Sequence, residues 1–255
     1  MADNRFLYIF NIYGLIFFIY VSRFNTLKVK PQLMLITDIE DKINQIYPLS
    51  GAQEWDNVGV LVDTGSSSNK VLLTIDVTEL VIDECNRLGI KHIISYHPVI
   101  FSGVKKLLKN DIVTKLIKFD INVFCPHTSW DEEMNRYLFC LLDNQNVEQV
   151  FDTLKNKIGL KHIRVANMSA GRKSLVVGVG SAFKYHEYKN SLIVTGEMSH
   201  HCLLHSIRHN NTVILLEHSN SERVVLPYFK DKLEKILPEC DIFISKNDKD
   251  PIDIL

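Results

Sequence analysis

Histidines and carboxylates gather at three places where apolar, β-branched runs give way to polar residues. Residues 92–96 run into His97-Pro98, and residues 121–125 into Pro126-His127-Thr128-Ser129-Trp130-Asp131. Residues 213–216 run into Glu217-His218-Ser219-Asn220-Ser221-Glu222. In open α/β sheets, ligands bind just outside the carboxyl ends of strands, so three such ends point to one shared site. Imidazole and carboxylate without cysteine suit Zn²⁺, Fe or Mn²⁺ and argue against a closed thiolate site. The candidate ligands are His97, Asp131, His218 and Glu222.

Each residue taken alone has a plainer reading. Ser219-x-x-Glu222 and Ser129-x-x-Glu132 both match a capping box, in which the acid only satisfies a helix-end amide. Asp131 fits a first-turn acid favoured by the helix dipole, and His97 fits a loop histidine. The case for a metal site therefore rests on convergence of all four. The segment Gly196-Glu197-Met198-Ser199-His200-His201, followed by His205 and His209, reads as a helix start capped by Ser199. It makes His200 and His201 candidates to line the site rather than to ligate. The sequence holds no H-E-x-x-H, G-x-S-x-G, Walker or G-x-G-x-x-G pattern.

The elements that must position these residues follow from periodicity. Residues 38–47 have apolar residues at helical spacing before Pro48. Residues 70–77 read as a buried strand, and Asp76-x-x-Glu79 as a capping box opening a helix over 78–88 that Gly89 ends. Strand 92–96, helix 111–119, strand 121–125 and helix 131–142 continue the alternation. A second series has helix 150–158, strands 175–179, 192–195 and 213–216, helices 199–208 and 221–236, and a final strand 240–245. Strands alternating with helices predict an α/β fold with mainly parallel sheets in two similar lobes, roughly 34–148 and 149–255. Only about a dozen residues, Gly180 to Ser191, join two of these strands, near the lower limit for a parallel connection. Those strands are therefore either antiparallel or joined by a locally shortened segment.

The chain has 255 residues, 46% of them apolar and 23% charged, with a net charge of −1. That balance fits a globular fold and supplies no field that would draw it to nucleic acid or anionic lipid. Five cysteines, an odd and scattered set without C-x-x-C, read as small buried hydrophobes in a reducing compartment. Residues 6–21 are nearly all apolar yet short of the roughly 20 residues a spanning helix needs. The basic stretch 23–30 lacks acids, and Met34 offers an alternative start. Residues 1–33 thus read as an extension outside the fold, an organelle presequence, or less readily a membrane anchor, and no stable membrane insertion is expected. A cytoplasmic location is expected, with the mitochondrion as alternative.

Several strings resemble one family, the NGG-one-interacting-factor-three-like proteins, also described as type-two homologues of GTP cyclohydrolase I. The resemblance covers residue 37 to the C-terminus and rests on six strings in order. They are Trp55-Asp-Asn-Val-Gly59, Ile75-Asp-Val-Thr78, Ile94-Ser-Tyr-His-Pro98-Val-Ile-Phe101, Pro126-His127-Thr128 with Asp131, Thr195-Gly-Glu-Met-Ser-His-His201 and Glu217-His-Ser-Asn-Ser-Glu-Arg223. The last two look like the eukaryotic branch. The resemblance implies two α/β lobes, a dinuclear metal site between them, toroidal hexamers and a protein partner in transcriptional coregulation. It makes His97, Asp131, His218 and Glu222 ligands of two divalent ions. Tyr96 stands where the family has the first histidine of His-His-Pro, and a neutral phenol is a poor ligand.

Two functions compete at this stage. One is a metal-dependent hydrolase acting on a phosphoester, nucleotide or cyclic amide, with His127 as a supporting residue or proton shuttle. The other is a non-enzymatic interaction factor with structural metals. No DNA-binding motif is present, so any nuclear role would run through protein partners.

Overall fold

The computed structural model describes residues 5–12, 15–22, 33–168, 173–181 and 188–252. The chain divides into two units, residues 1–32 and 33–255. In the first, strands β1 (Arg5–Ile12) and β2 (Leu15–Ser22) pair as an antiparallel hairpin, with Arg5 opposite Ser22 and Ile12 opposite Leu15. No described helix is long and apolar enough to cross a membrane.

The second unit opens with α1 (Ile36–Asn44), which buries Ile36, Ile39 and Ile43 on one face. Strands β3 (Gly59–Val62) and β4 (Lys70–Thr74) follow, then α2 (Glu79–Leu88), β5 (His92–Ser95), α3 (Ile112–Lys118), β6 (Asn122–Cys125) and α4 (Asp131–Leu142). Next come α5 (Val147–Ile158), β7 (Arg164–Ala166), β8 (Ser174–Gly178), β9 (Ser191–Thr195), α6 (His200–Arg208) and β10 (Thr212–Leu215). Helices α7 (His218–Arg223) and α8 (Leu226–Ile236) and strand β11 (Asp241–Ile244) complete it.

The strands form two sheets, in order β11-β4-β5-β6-β3 and β7-β10-β9-β8. Each is parallel except for one edge strand, β3 on β6 and β7 on β10. Alternation along the strands divides the core. Val71, Leu73 and Ile94 of the first sheet share one buried cluster with Leu192, Val194 and Ile214 of the second and with α1, α4, α5 and α8. Leu72, Ile93 and Val123 face the opposite way, toward α2 and α3. Ile193 and Val213 of the second sheet face Leu203 of α6. Strands buried on both faces explain their near-continuous apolar reading.

Three details depart from the sequence reading, and a fourth settles an alternative it left open. The final strand closes the second series in the chain but pairs with β4 in the first sheet. The predicted helix 221–236 is two helices, because Pro227 sits in the first turn of α8, where its missing amide is harmless. Strand β7 went unseen because three half-exposed residues carry no readable alternation. Strands β8 and β9 are parallel, with Ser174 opposite Ser191 and Gly178 opposite Thr195, so the dozen residues between them do make a parallel connection.

Candidate metal centre

His97 is placed by the β4–β5 ladder, which continues past both strands. Tyr96 N donates to Thr74 O at 2.9 Å and His97 N to Ile75 O at 3.0 Å. This brings His97 Nδ1 to 2.9 Å from Asp76 Oδ1. Asp76 is therefore not a capping residue. Thr78 is the N-cap of α2, its hydroxyl accepting from Val81 N, and Asp76 orients His97 instead. Burial alone would raise the Asp76 carboxyl, but the His97 imidazole beside it outweighs that and lowers it.

His218 and Glu222 are carried by the single-turn helix α7. Glu217, just before it, has φ 68° and ψ 153°, a region few residues other than glycine adopt. Its buried carboxylate is held by Arg164 of β7, Nε to Oε1 at 2.6 Å. His218 Nδ1 lies 2.9 Å from Glu197 Oε1, and its Nε2 lies 3.2 Å from Glu222 Oε1. The capping reading of Ser219-x-x-Glu222 does not hold. Ser219 lies inside α7 and donates to Asp250 Oδ2 at 2.7 Å. Two glycines make room here. A Cβ on Gly180 (φ 59°) would stand 2.7 Å from Glu222 Oε1, and one on Gly196 would stand 2.7 Å from Ser221 Oγ and 3.0 Å from His218 Cα. Gly180 is thus part of the site's wall.

His97, His218 and Glu222 each offer one ligand atom within 4.8 Å of the others. The second oxygen of Glu222 faces His97 Nε2 at 3.4 Å and accepts no hydrogen bond, although Glu222 is 2% exposed. A buried carboxylate oxygen without a donor is costly unless a cation completes it. Both imidazoles keep Nδ1 against a carboxylate and turn Nε2 inward, as metal-bound histidines do. Burial would pull His97 down, but Asp76 and Glu222 raise it to about 10. The contact with Glu222 raises His218 to about 9 against its burial. Burial would raise Glu222, yet the two imidazoles hold it below its usual range. The pocket demands positive charge, supplied by two protons or by one divalent ion, and the residues present fit the latter.

Asp131, the fourth predicted ligand, lies outside this group of three. Its Oδ1 accepts from the Tyr96 hydroxyl, and burial raises its carboxyl above the usual value. Burial likewise puts the Tyr96 phenol well above its ordinary range, so it stays a donor. The capping reading of Ser129 fails as well, since its hydroxyl donates to Pro126 O. His127 has φ 33°, and its Nδ1 lies 2.7 Å from Asp56 Oδ1. Its ring is 5.6 Å from that of His97. Asp56, missed in the sequence, also accepts from Thr128 N at 3.1 Å and from the Thr128 hydroxyl. His200 and His201 stand exposed in the first turn of α6, rings 5.6 Å apart, with Ser199 as its N-cap. Neither joins the group of three among the described residues. A cavity of about 460 Å³ lined by Leu61, Val62, Val104, Leu107, Val113 and Ile117 lies elsewhere and includes no histidine or glutamate.

Comparison with known proteins gives the family and the fold. Residues 34–150 and 136–251 match the family model described as Duf34/NIF3 (NGG1p interacting factor 3). The chain is 31% identical to the NIF3-like protein 1 of Drosophila melanogaster, over 91% of this chain and 92% of that one. It is 28% identical to the NGG1-interacting factor 3 of Saccharomyces cerevisiae, over 83% and 94%. A hypothetical protein of Staphylococcus aureus has the same fold, with TM-score 0.78 and 24% identity, covering 88% of this chain and all of that one. HcgD from Methanocaldococcus jannaschii gives TM-score 0.71 at 20% identity, covering 84% and 99%. With these matches spanning both sheets, the chain belongs to the Duf34/NIF3 (NGG1p interacting factor 3) family.

Proposed function

We propose that the chain is a divalent-metal-dependent hydrolase whose substrate is a phosphoester or nucleotide. One observation carries this reading. Two histidines, each braced by a carboxylate, aim their Nε2 atoms at one buried carboxylate from two different sheets. His97, His218 and Glu222 would hold one ion, with Asp131 as the ligand reserved for a second. A bound ion supplies Lewis acidity and a more acidic water. The chain's own residues do the rest. Asp76 and Glu197 fix the tautomers of His97 and His218, leaving Nε2 free to ligate. His127, braced by Asp56, is placed to take or give a proton beside His97. Tyr96 orients Asp131 through its hydroxyl rather than ligating.

Elemental analysis of tag-free protein tests this. Near two equivalents in wild type, near one in Asp131→Ala and near none in Glu222→Gln supports the two-ion site. No metal in wild type sinks it. A second reading follows from the yeast relative's name, which describes an interacting factor. There the ions are structural and a protein partner is the function. It predicts that partner capture survives Glu222→Gln, and that no hydrolysis is found with loaded wild type. We further propose a homo-oligomer, a hexamer, tested by sedimentation. The proposed compartment is the cytoplasm, with the mitochondrion as alternative, tested by imaging the full chain.

A further inference from the structure

Of the chain's two tryptophans, Trp130 belongs to the core. It is 1% exposed and stacks on Phe229 with ring centroids 4.1 Å apart. Trp55 does not. It is 60% exposed, as is Phe101 beside it, with centroids 6.0 Å apart and planes tilted by 45°. Leaving two large aromatic side chains mostly in water forgoes the gain from burying them.

Hydrogen bonds fix the backbone segments that carry both rings. Asp56, next to Trp55, has a fully buried carboxylate that contacts His127 and accepts from Thr128 and from Asn57 N at 2.8 Å. Gln53 N donates to Thr128 Oγ1 at 3.0 Å, and Asn57 Nδ2 donates to Ile100 O, next to Phe101. Both aromatic rings therefore ride on segments tied to each other and to the strand end that carries His127. The rings also lead inward. Trp55 lies edge-on to His127 at 6.1 Å, and His127 lies 5.6 Å from His97.

We propose that Trp55 and Phe101 form an aromatic platform that stacks a planar heteroaromatic ring of the substrate, with the reacting end directed past His127 to His97, His218 and Glu222. The inference rests on the hydrolase reading in one respect, that this site holds the substrate. A tilted pair at 6.0 Å is too close to take a ring between its members, since two stacking contacts of about 3.5 Å each need more. The ring therefore lies on the outer face of Trp55, with Phe101 at its edge. Stacking on indole tolerates any planar base, so the platform selects for a ring and not for one particular ring.

The test titrates the four nucleoside monophosphates AMP, GMP, CMP and UMP onto the full chain, with ribose 5-phosphate as the control lacking a ring. Tryptophan emission and calorimetry are the readouts. At least one nucleotide should quench the long-wavelength emission of Trp55, and ribose 5-phosphate should not. Trp55→Leu should lose the quench and bind roughly 5- to 100-fold more weakly, the range expected for one lost stacking contact. Trp55→Phe should keep most of the affinity. Exposure of Trp55 makes both variants safe for folding. The proposal is overturned by a wild type that binds none of the four, or by Trp55→Leu binding as well as wild type. It is equally overturned by Trp55 emission that is already that of a buried indole and shifts red on dilution, because a second copy would then cover the ring. Failure of the metal reading looks different: wild type would carry no metal, while nucleotide binding would still depend on Trp55.

Discussion

His97 and His218 stand with ring centroids 5.4 Å apart, although one follows β5 of the five-stranded sheet and the other follows β10 of the four-stranded sheet. The two sheets share a buried cluster, and that packing sets the distance between their strand ends. Glu222 closes the arrangement with one carboxylate oxygen toward each ring. Each ring carries its own bracing acid on the far side, so neither imidazole needs the other to hold its orientation.

Glu222→Gln should lower the affinity for Zn²⁺ or Mn²⁺ by at least about 100-fold, because an amide oxygen brings no charge to a site built for a cation. Equilibrium dialysis with elemental analysis measures it. Unchanged metal content in this variant would remove Glu222 from the ligand set and leave its buried oxygen without an account.

The bracing acids should matter less than the ligands and still measurably. Asp76→Asn and Glu197→Gln should each weaken metal binding by roughly 10- to 100-fold, the usual cost of losing a carboxylate behind a ligating histidine. The Asp76 side chain is the less exposed, 36% against 51% for Glu197, so its replacement should be the costlier. Chelator competition ranks the two variants. Equal, negligible losses would mean the Nδ1 contacts do not set the tautomers.

Gly180→Ala isolates the role of space. Gly180 and Gly89 both have positive φ, 59° and 65°, so alanine at either should cost about 1 kcal/mol in backbone strain. Only at Gly180 would the added carbon meet Glu222 Oε1, at 2.7 Å; at Gly89 it meets nothing within 4 Å. Both variants should melt a few degrees lower, and only Gly180→Ala should lose metal. Metal loss in Gly89→Ala as well would mean the effect is global destabilisation.

The strand ends were legible in the sequence because parallel strands buried on both faces stand out as apolar runs, and polar residues follow them abruptly. That pattern makes His97, His218 and Glu222 candidates, and the fold brings these three together. Asp76 and Glu197 could not, since a carboxylate after a strand or before a helix looks like a cap, and only the ladder between β4 and β5 shows which histidine Asp76 meets. Asp56 was hidden for another reason: its partner His127 is distant in sequence and reaches it through an unusual backbone angle. The sheet assignment of β11 was equally hidden, because a strand's local pattern does not say which sheet it joins.

Arg164 and Glu217 form a second test of positioning. Glu217 holds a backbone conformation that costs about 1–3 kcal/mol, and the ion pair with Arg164 stabilises it. Arg164→Ala should weaken metal binding about 10-fold by letting the Glu217 peptide relax and His218 turn. Glu217→Gly accepts the same φ and ψ without strain, so it should bind metal as wild type does. In that background Arg164→Ala should be silent. The Co²⁺-loaded protein reports geometry directly, because its visible spectrum changes when a ligand turns. An Arg164→Ala effect that persists in the Glu217→Gly protein would separate Arg164 from the site.

His92 gives a pH dependence with a definite sign. It is fully buried, with Nε2 2.9 Å from Met34 O and Nδ1 3.1 Å from Asn122 Nδ2. Asn122 Nδ2 also donates to Ser66 O at 2.9 Å and its Oδ1 accepts from Thr64 N at 2.6 Å, which fixes the amide's orientation. Nδ1 of His92 must therefore accept, and only the neutral imidazole can do that. Burial lowers its pKa below the usual 6.5 of a free imidazole. As pH falls below about 6.5 the unfolded chain takes up a proton that the folded chain refuses, so stability drops, by at most about 1.4 kcal/mol per pH unit for one group. His97 and His218 act in the other direction in metal-stripped protein. Raised to about 10 and about 9, they contribute stability that is fully present below 6.5 and lost as pH rises through those values. Chelated protein should thus be most stable near pH 6.5 and decline on both sides, as read by urea midpoints across pH 5 to 9. His92→Gln should flatten the acid limb between 6.5 and 5 and leave the alkaline limb in place, even if the variant is less stable throughout. An acid limb unchanged by that substitution would assign it to the carboxylates.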